Sequence, residues 1–483
     1  MESSDGTRKQ QPNLRRELPA EVALETRALQ AEPSVLVAQT KELTNGRQGM
    51  DLLEQMLERG NMLKALRRVE SNRGAAGVDG MTVGELREHL RGHWVEIREQ
   101  LLAGSYQPQP VRRVEIPKPD GGVRELGIPA VIDRLIQQAL LQVLTPIFEP
   151  HFSEASFGFR PGRSAHQAVR RAKAYVAEGY DWVVDLDIEK FFDRVNHDML
   201  MARLARKVMD KRVLKLIRAY LNAGVLLNGV IVASEEGTPQ GGPLSPLLAN
   251  VLLDDLDQEL EKRGHRFVRY ADDCNVYVKS ERAGQRVMES VVEFLEKKLK
   301  LKVNRGKSGV ARPKHRKFLG FRLFRYKAEV RIGLAPKTIS RVKAAIRELT
   351  RASRGGWTME ERIERLQRKL QGWVRYFALA DTASVFESLD EWLRRRLRMV
   401  YWRQWKRGRT RRRNLRALGM PRWMIPLVGS QKGPWRNAGS PPMQAVLTKA
   451  YWAKLGLPSL AELHRIIRNE WRTAGCGPAR PVV

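Results

Sequence analysis

Cysteine is scarce in this chain, and long apolar runs are missing. Only Cys274 and Cys476 occur among 483 residues, so neither a disulfide framework nor a Cys-rich zinc site can be built. No apolar run approaches the roughly 20 residues of a membrane helix, and no signal-peptide pattern opens the sequence. We therefore expect no membrane partner and a reducing, cytoplasmic location.

Acidic residues are also few relative to basic ones. The chain has 54 Asp and Glu against 87 Lys and Arg, which gives a formal net charge of +33. An excess of this size is atypical of a metabolic enzyme and indicates a polyphosphate partner, such as a nucleic acid. The hydrophobic content of 42% is sufficient for several domains with their own cores.

The most informative motif is the acidic pair Asp272-Asp273, within residues 266–279. β-Branched and aromatic residues flank the pair on both sides, which predicts a strand, a tight turn and a second strand. Adjacent carboxylates repel each other unless a cation neutralises them, and hard oxygen ligands at a rigid turn suit Mg²⁺. An isolated Asp-Asp pair is more often an ordinary hairpin turn, so the interpretation needs another carboxylate.

Asp187 is the carboxylate with the most suitable surroundings. Residues 182–193 begin as an apolar strand, which puts Asp185 and Asp187 on the same face. A two-metal site needs carboxylates from at least two separate strands, and Asp187 and Asp272 meet that need. Asp193 and Asp198 are interpreted instead as helix-start or solvent-facing residues.

Eight segments occur in a specific order along the chain. They are residues 72–80, 116–129, 157–164, the Asp187 strand, residues 237–246, the acidic pair, and residues 301–308 and 318–321. In this order and spacing, from about residue 50 to near the C-terminus, the chain resembles the bacterial group II intron-encoded reverse transcriptases and maturases. Some members carry a Cys-rich endonuclease module; with so few cysteines, the endonuclease-lacking type is expected here.

The resemblance implies an α+β fold of the right-hand polymerase type. Such a fold has fingers, a palm with an antiparallel sheet on helices, and an α-helical thumb, here followed by a basic helical C-terminal region. Our predicted boundaries are a mobile leader at 1–48, fingers at 49–180, a palm at 181–325 with a helical interlude at about 203–235, a thumb and maturase-specific domain at 326–425, and a nucleic-acid-binding tail region at 426–483. In the thumb, residues 360–377 keep an apolar helical face made of Ile363, Leu366, Leu370, Trp373 and Phe377.

The resemblance also implies the composition of the catalytic site. Asp187, Asp272 and Asp273 would be the catalytic residues and, with the carbonyl of Ile188, the ligands of two Mg²⁺ ions. An aromatic residue under the sugar of the incoming nucleotide favours deoxynucleotides in this family. We assign that position to Phe192, with Phe191 as the second choice, although both rings could simply belong to the core.

Further residues are predicted to bind the nucleotide. Lys118 and Arg124 flank the turn of a hairpin-like segment, where a point charge and a guanidinium fork could clamp a triphosphate; a solvated basic turn is the alternative. Gln240 and Gly241 lie in a Gly/Pro-rich segment in which the backbone can approach a ligand closely; an ordinary loop is the alternative. Lys307 could approach the phosphates, with less support.

The C-terminal third is basic and aromatic. Residues 394–422 contain thirteen Lys or Arg and no acidic residue, interleaved with Tyr401, Trp402 and Trp405. A solvated or disordered charge block is the alternative, but the aromatics and the heptad-like leucines favour a folded helix that faces RNA. The predicted nucleic-acid contacts are Arg160, Arg163, Arg394, Arg395, Arg403, Lys406 and Arg411; for Arg160 and Arg163 an exposed turn is equally consistent.

The expected function is an RNA-directed DNA polymerase that also binds its intron RNA to assist splicing and mobility. Its expected partners are group II intron RNA, an RNA template with a DNA primer, deoxynucleoside triphosphates and target DNA, in a nucleoid-associated ribonucleoprotein. Two alternatives remain open: a splicing cofactor that only binds RNA, and an intron-free reverse transcriptase that serves repair or defence. Intact acidic residues argue against the first alternative.

Overall fold

The computed structural model describes residues 51–117, 122–227, 230–232, 236–238, 241–351 and 356–473. The predicted leader at 1–48 lies outside these residues, as do Lys118 and Gln240. The described part of the chain mixes helices with small sheets, as the α+β class requires. Within it, no helix is both long and apolar enough to cross a membrane.

The N-terminal part is built around one apolar helix. It contains α1 (Leu52–Leu57), α2 (Arg59–Asn72), α3 (Leu86–Ala103), β1 (Val111–Pro117), β2 (Val123–Ile128) and α4 (Val131–Phe148). Because Leu135, Leu140 and Leu144 are all buried, α4 forms the centre against which α1 and α2 pack. The hairpin predicted around residue 120 is confirmed by the antiparallel pairing of Ile116 with Arg124.

The next segment differs in part from its prediction. It comprises α5 (Ala165–Ala177), β3 (Trp182–Leu186), α6 (His197–Leu204), α7 (Lys211–Asn222), β4 (Val225–Leu227) and β5 (Val230–Val232). The helical interlude predicted at about 203–235 is therefore wrong in its last part, which is a hairpin. Val225 pairs in parallel with Val111 of β1, giving a sheet in the order β2-β1-β4-β5. β-Branched Val and Ile residues at 230–232 suit a pleated strand better than a helix.

A central antiparallel sheet follows. Its other elements are α8 (Ser245–Lys262), β6 (Arg266–Tyr270), β7 (Asp273–Val278), α9 (Glu281–Lys298) and β8 (Gly309–Ala311), and the strand order is β6-β7-β3-β8. Successive side chains of a strand point to opposite faces of the sheet, and here the side chains on both faces are buried. Val184 and Val276 face a core formed with α8 and α9, whereas Val183 and Tyr277 face a second core formed with α5 and the C-terminal helices. The sheet thus separates two hydrophobic cores.

The C-terminal part begins with a hairpin and is otherwise helical. Its elements are β9 (Phe321–Tyr326), β10 (Glu329–Leu334), α10 (Pro336–Leu349), α11 (Met359–Phe377), α12 (Ala383–Gln404), α13 (Gly408–Ala417), α14 (Gly433–Ala438), α15 (Pro441–Val446), α16 (Lys449–Lys454) and α17 (Leu460–Thr473). The predicted apolar face of residues 360–377 is confirmed, since Ile363, Leu366 and Leu370 are buried. The folded basic helix is confirmed too, because Leu393 and Leu397 of α12 are buried.

α17 is fixed to α12 by one carboxylate. Asp390 accepts hydrogen bonds from the backbone N–H groups of Leu460 (2.9 Å) and Ala461 (3.1 Å) and from the hydroxyl of Ser459 (2.9 Å). The side chain is almost fully buried, and a carboxylate at a helix N-terminus is stabilised by the helix dipole. The described residues of the predicted tail region therefore pack on α12, within the segment predicted to be the thumb and maturase-specific domain.

Asp390→Ala is expected to destabilise the protein by about 2 kcal/mol, because it leaves the N–H groups at the start of α17 without acceptors. The free energy of unfolding, measured by urea denaturation, tests this. Glu391→Ala removes an exposed carboxylate from the same helix and should change the stability by less than about 0.5 kcal/mol. Equal effects of the two substitutions would contradict the capping role of Asp390.

Candidate active site

The acidic pair lies in a two-residue turn. Tyr270 of β6 pairs with Asp273 of β7, so Ala271 and Asp272 form the connection between the strands. Ala271 has a φ of 57°, a left-handed conformation that costs a non-glycine residue roughly 1 kcal/mol. The predicted strand–turn–strand is confirmed, and this turn needs support from its surroundings.

The loop of residues 155–158, which precedes α5, is hydrogen-bonded to β6 and contacts the turn. Phe157 N–H donates to the carbonyl of Arg269, and Arg269 N–H donates to the carbonyl of Ala155, both at 2.9 Å. Gly158 then lies so close to the turn that a Cβ there would be 2.1 Å from the nitrogen of Ala271. Only glycine permits this backbone contact.

A buried ion pair completes the support. Arg269 is fully buried and contacts Asp257 of α8 at 2.5 Å. Its Nη1 donates to the carbonyl of Ala271 and to Oδ1 of Asn250, both at 2.9 Å, and Asn250 Nδ2 donates to the carbonyl of Gly158 at 2.9 Å. Charge-assisted hydrogen bonds in a dry environment are strong, so this network fixes the turn to α8 and to the loop.

Strand pairing brings Asp187 to the same place. β3 is antiparallel to β7, with Leu186 opposite Cys274, so the next residue, Asp187, follows the register towards Asp273. The Asp187 N–H donates to Ser308 Oγ (2.9 Å), and its carbonyl accepts from the N–H of Asn304 (2.8 Å). The register therefore places Asp187 and Asp273, from two distant stretches, at the same end of the central sheet; their role as metal ligands stays a prediction. Ile188, which pairs with Val303, has a buried side chain and offers only its backbone to this site.

The carboxylates repel one another. Asp273 is the first residue of β7 and is exposed at the surface, but neighbouring protein atoms crowd its carboxyl. The pKa of Asp273 is raised to about 7, mainly because its carboxyl is desolvated and further because Asp272, Asp185 and Asp187 are negatively charged. Burial likewise raises the pKa of Asp185 to about 6, against the opposing charge of Arg316. Hard oxygen ligands of like charge are what a divalent cation prefers, so the chemistry of these residues fits Mg²⁺, although Arg316 lies 3.6 Å from Asp185 and Lys307 lies 3.8 Å from Asp187.

A second acidic group is a poorer candidate for a metal. In the described ranges, Asp51, Glu54 and Asp210 bring three ligand atoms within 4.8 Å of one another. The guanidinium of Arg212 already contacts Glu54 at 2.7 Å and Asp210 at 3.2 Å. This guanidinium therefore lies closer to Glu54 and Asp210 than Arg316 lies to Asp185 (3.6 Å) or Lys307 lies to Asp187 (3.8 Å).

Only some of the residues predicted to bind the nucleotide lie in the described part of the chain. Phe191 is buried and Phe192 half-buried, with their ring centroids 5.2 Å apart, which agrees with the preference for Phe192. The carbonyl of Phe192 accepts from the N–H of Thr238 at 2.6 Å. Gly241 approaches the carbonyl of Gly127 in β2, the strand that carries Arg124, whose side chain is outside the described part. These roles remain predictions.

Two family models match this chain. Residues 116–323 match "Reverse transcriptase (RNA-dependent DNA polymerase)", and residues 339–419 match "Group II intron, maturase-specific domain". Protein YkfC of Escherichia coli (strain K12) is 34% identical over 324 residues, which cover 59% of this chain and 85% of YkfC. The group II intron-encoded protein LtrA of Lactococcus lactis subsp. cremoris is 40% identical over 198 residues, which cover 40% of this chain and 32% of LtrA.

The chain belongs to the group II intron-encoded reverse transcriptase and maturase family. Its expected right-hand polymerase class and its RNA-directed DNA polymerase activity follow from this membership, as does assistance to splicing. Among solved structures, the partial Cas6-RT-Cas1–Cas2 complex is 25% identical with a TM-score of 0.34, over 52% of this chain and 43% of that chain. This TM-score is too low for a structural inference.

The first pair of predicted nucleic-acid contacts needs correction in this reverse transcriptase. Arg160 is only 7% exposed, pairs with Glu149 at 2.9 Å and donates to the carbonyls of Ser153 and Ser156. Its guanidinium holds together residues 149–156, next to the loop that contacts the turn. The predicted template contact is therefore wrong for Arg160. Arg163 pairs with Glu154 at 2.6 Å and stays a prediction.

The basic C-terminal residues divide into two groups. Arg395 stacks on Trp435 with 4.5 Å between its Cζ and the ring centroid, and Arg411 stacks on Trp402 at 4.2 Å. Both guanidinium groups therefore pack on tryptophan rings. Less of their surface is accessible to RNA than we expected from the sequence. Arg403 and Lys406 are exposed, and Arg394 is half-buried.

Sequence reasoning missed the residues that hold the site together. Arg269, Asp257 and Asn250 lie outside the turn itself, and Arg316 comes long after it. One signal was available: the alternation of β6 places Arg269 on the same side as Phe267, and a buried cation demands an acidic partner.

Arg269→Met is expected to destabilise the reverse transcriptase by about 3–5 kcal/mol, because it leaves Asp257 buried and unpaired. Chemical denaturation measures the loss. The double variant Arg269→Met/Asp257→Leu should recover part of that stability without restoring activity, since the turn has still lost its donor. Arg368→Met, which breaks a surface pair with Glu364, is the control and should be nearly neutral. Full activity in the double variant would contradict the role assigned to the pair.

Proposed function

We propose that this reverse transcriptase extends a DNA primer on an RNA template with two Mg²⁺ ions held by Asp187, Asp272, Asp273 and the Ile188 carbonyl. The observation that carries the proposal is the β3–β7 register, which brings Asp187 to the hairpin turn. Bound Mg²⁺ would supply activation of the primer 3′ hydroxyl and stabilisation of the departing pyrophosphate. No side-chain general base is then required.

The surrounding residues would select and orient the deoxynucleoside triphosphate. Phe192 lies under the sugar, Gln240 and Gly241 lie beside the nucleotide, and Lys118 and Arg124 contact the triphosphate from the β1–β2 hairpin. Support comes from the approach of Gly241 to Gly127 of β2, which joins this loop to the hairpin. Lys307 would also contact the phosphates, since its Nζ lies 3.8 Å from Oδ2 of Asp187.

The intron RNA would bind the basic C-terminal surface. No acidic residue occurs from 392 to 461, whereas seventeen Lys or Arg do. Arg403 in the last turn of α12 and Lys406 just after the helix are exposed, and Trp423, further along the chain, is 68% exposed. Exposed cations bind phosphates, and an exposed indole can stack on an unpaired base. Target DNA would use the same charge during intron mobility, in a nucleoid-associated ribonucleoprotein.

Asp272→Ala is expected to abolish primer extension on an RNA template, at least about a thousandfold, because the turn loses a metal ligand. Incorporation of deoxynucleotides with and without Mg²⁺ measures it, and a chelator should reproduce the loss in the wild type. Asp198→Ala removes an exposed carboxylate and serves as the control. Wild-type extension no higher than that of Asp272→Ala would leave the splicing cofactor that only binds RNA.

Arg403→Gln/Lys406→Gln is expected to weaken the binding of group II intron RNA and to flatten its salt dependence by one to two phosphate contacts, roughly 0.7–0.9 per contact in log–log slope. Filter binding over a series of salt concentrations measures the slope. Arg282→Gln/Arg286→Gln removes the same charge from exposed positions of α9 and should leave the slope unchanged. An equal change in both double variants would show that only net charge matters.

A further inference from the structure

The loop that carries Lys307 is tied to the catalytic strand at two points. The N–H of Asn304 donates to the carbonyl of Asp187 at 2.8 Å, and Ser308 Oγ accepts from the N–H of Asp187 at 2.9 Å. The N–H groups of Lys307 and Ser308 both donate back to the carbonyl of Asn304. Residues 304–308 therefore form a closed turn beside Asp187.

The Lys307 side chain itself is loosely held. It is 71% exposed, and its ion-pair contact with Asp187 is long, at 3.8 Å. A flexible lysine side chain loses entropy when it is placed at a ligand, and only its backbone position can be set in advance by the protein. The anchoring of that backbone therefore matters for any task of the ammonium group.

Arg316 provides this anchoring from behind the loop. Its Nη1 donates to the carbonyl of Lys307 at 2.9 Å and lies 3.6 Å from Oδ2 of Asp185. Asp185 is in turn oriented by Asn275, whose amide nitrogen donates to Oδ1 of Asp185 at 2.9 Å in the orientation that satisfies both ends of the amide. One guanidinium thus joins the lysine loop to the strand that ends at Asp187.

The guanidinium of Arg316 lies close to Gly309, where an added side chain would contact it. Gly309 pairs with Asp185 in the β3–β8 ladder, and a Cβ at Gly309 would lie 2.3 Å from Nη2 of Arg316. Gly309 does not have a positive φ, so its backbone conformation is open to alanine. The close approach to Arg316 is what an alanine would disturb.

We propose that Arg316 is a positioning residue that acts through Lys307. Held between Asp185 and the Lys307 carbonyl, it keeps the ammonium group within reach of Asp187 and of the triphosphate. The proposal rests on the polymerase function proposed above, because it concerns how that site receives its nucleotide.

Single-nucleotide incorporation by the full chain on an RNA template, with kcat and the KM for the nucleotide measured separately, tests this proposal. Lys307→Ala and Arg316→Gln should each raise KM for the nucleotide and lower kcat/KM, by about tenfold, as expected for a misplaced binding group. In the double variant the effect should stay near that of Lys307→Ala alone, because Arg316 has no separate route to the nucleotide. Lys307→Ala keeps the backbone carbonyl, so the anchor itself is intact in that background.

Gly309→Ala tests the same anchor without changing any charge. It should raise the KM for the nucleotide in the same direction as Arg316→Gln, with an unchanged melting temperature. Arg312→Gln is the matched control, since Arg312 stacks on Trp182 at 4.6 Å near the same strand and does not touch the lysine loop; it should keep wild-type kinetics.

The outcomes are separable. Multiplicative losses in the Lys307→Ala/Arg316→Gln double variant, or a wild-type KM in both Arg316→Gln and Gly309→Ala, would overturn the positioning role while leaving the polymerase intact. Absence of incorporation by the wild type would overturn the proposed function and this inference with it.

Discussion

The buried contact between Arg269 and Asp257 is the interaction on which the active site depends. The turn that carries Asp272 contains a residue in the left-handed conformation, and its neighbours are negatively charged. Neither feature is favourable alone. The guanidinium stabilises the turn by binding the Ala271 carbonyl, and Asp257 makes the buried cation tolerable. A strained, like-charged hairpin is thereby held in one geometry before any ligand arrives.

Charge in this protein is segregated by position. Acidic side chains concentrate at the end of the central sheet, where burial and mutual repulsion raise the pKa values of Asp273 and Asp185. Basic side chains dominate the C-terminal part, where several stack on tryptophans. The acidic end of the sheet attracts small cations, and the basic C-terminal part attracts polyanions. Metal ions and nucleic acid thus find opposite charge in different parts of the protein.

Local patterns predicted much of this protein, and long-range contacts explain what they missed. The hairpin at 272–273, the helix over Met359–Phe377 and the strand before Asp187 follow from periodicity and turn chemistry, and the structure has them. The hairpin at 225–232 was missed because its strand pairs with β1, more than a hundred residues earlier. Arg160 was misassigned because its acceptors, including Glu149, become neighbours only after folding. No spacing rule identifies the partner of a buried arginine.

The central sheet has a core on each of its faces, and this has a consequence for how the chain can be divided. Val183 and Tyr277 belong to the core of the C-terminal helices, although they sit on the strands that carry the carboxylates. Side chains of one hydrophobic core thus join the reverse transcriptase segment to the maturase-specific segment. A fragment that ended after β8 would expose these apolar side chains to water and would be prone to aggregate, so the polymerase and maturase parts have to be expressed together.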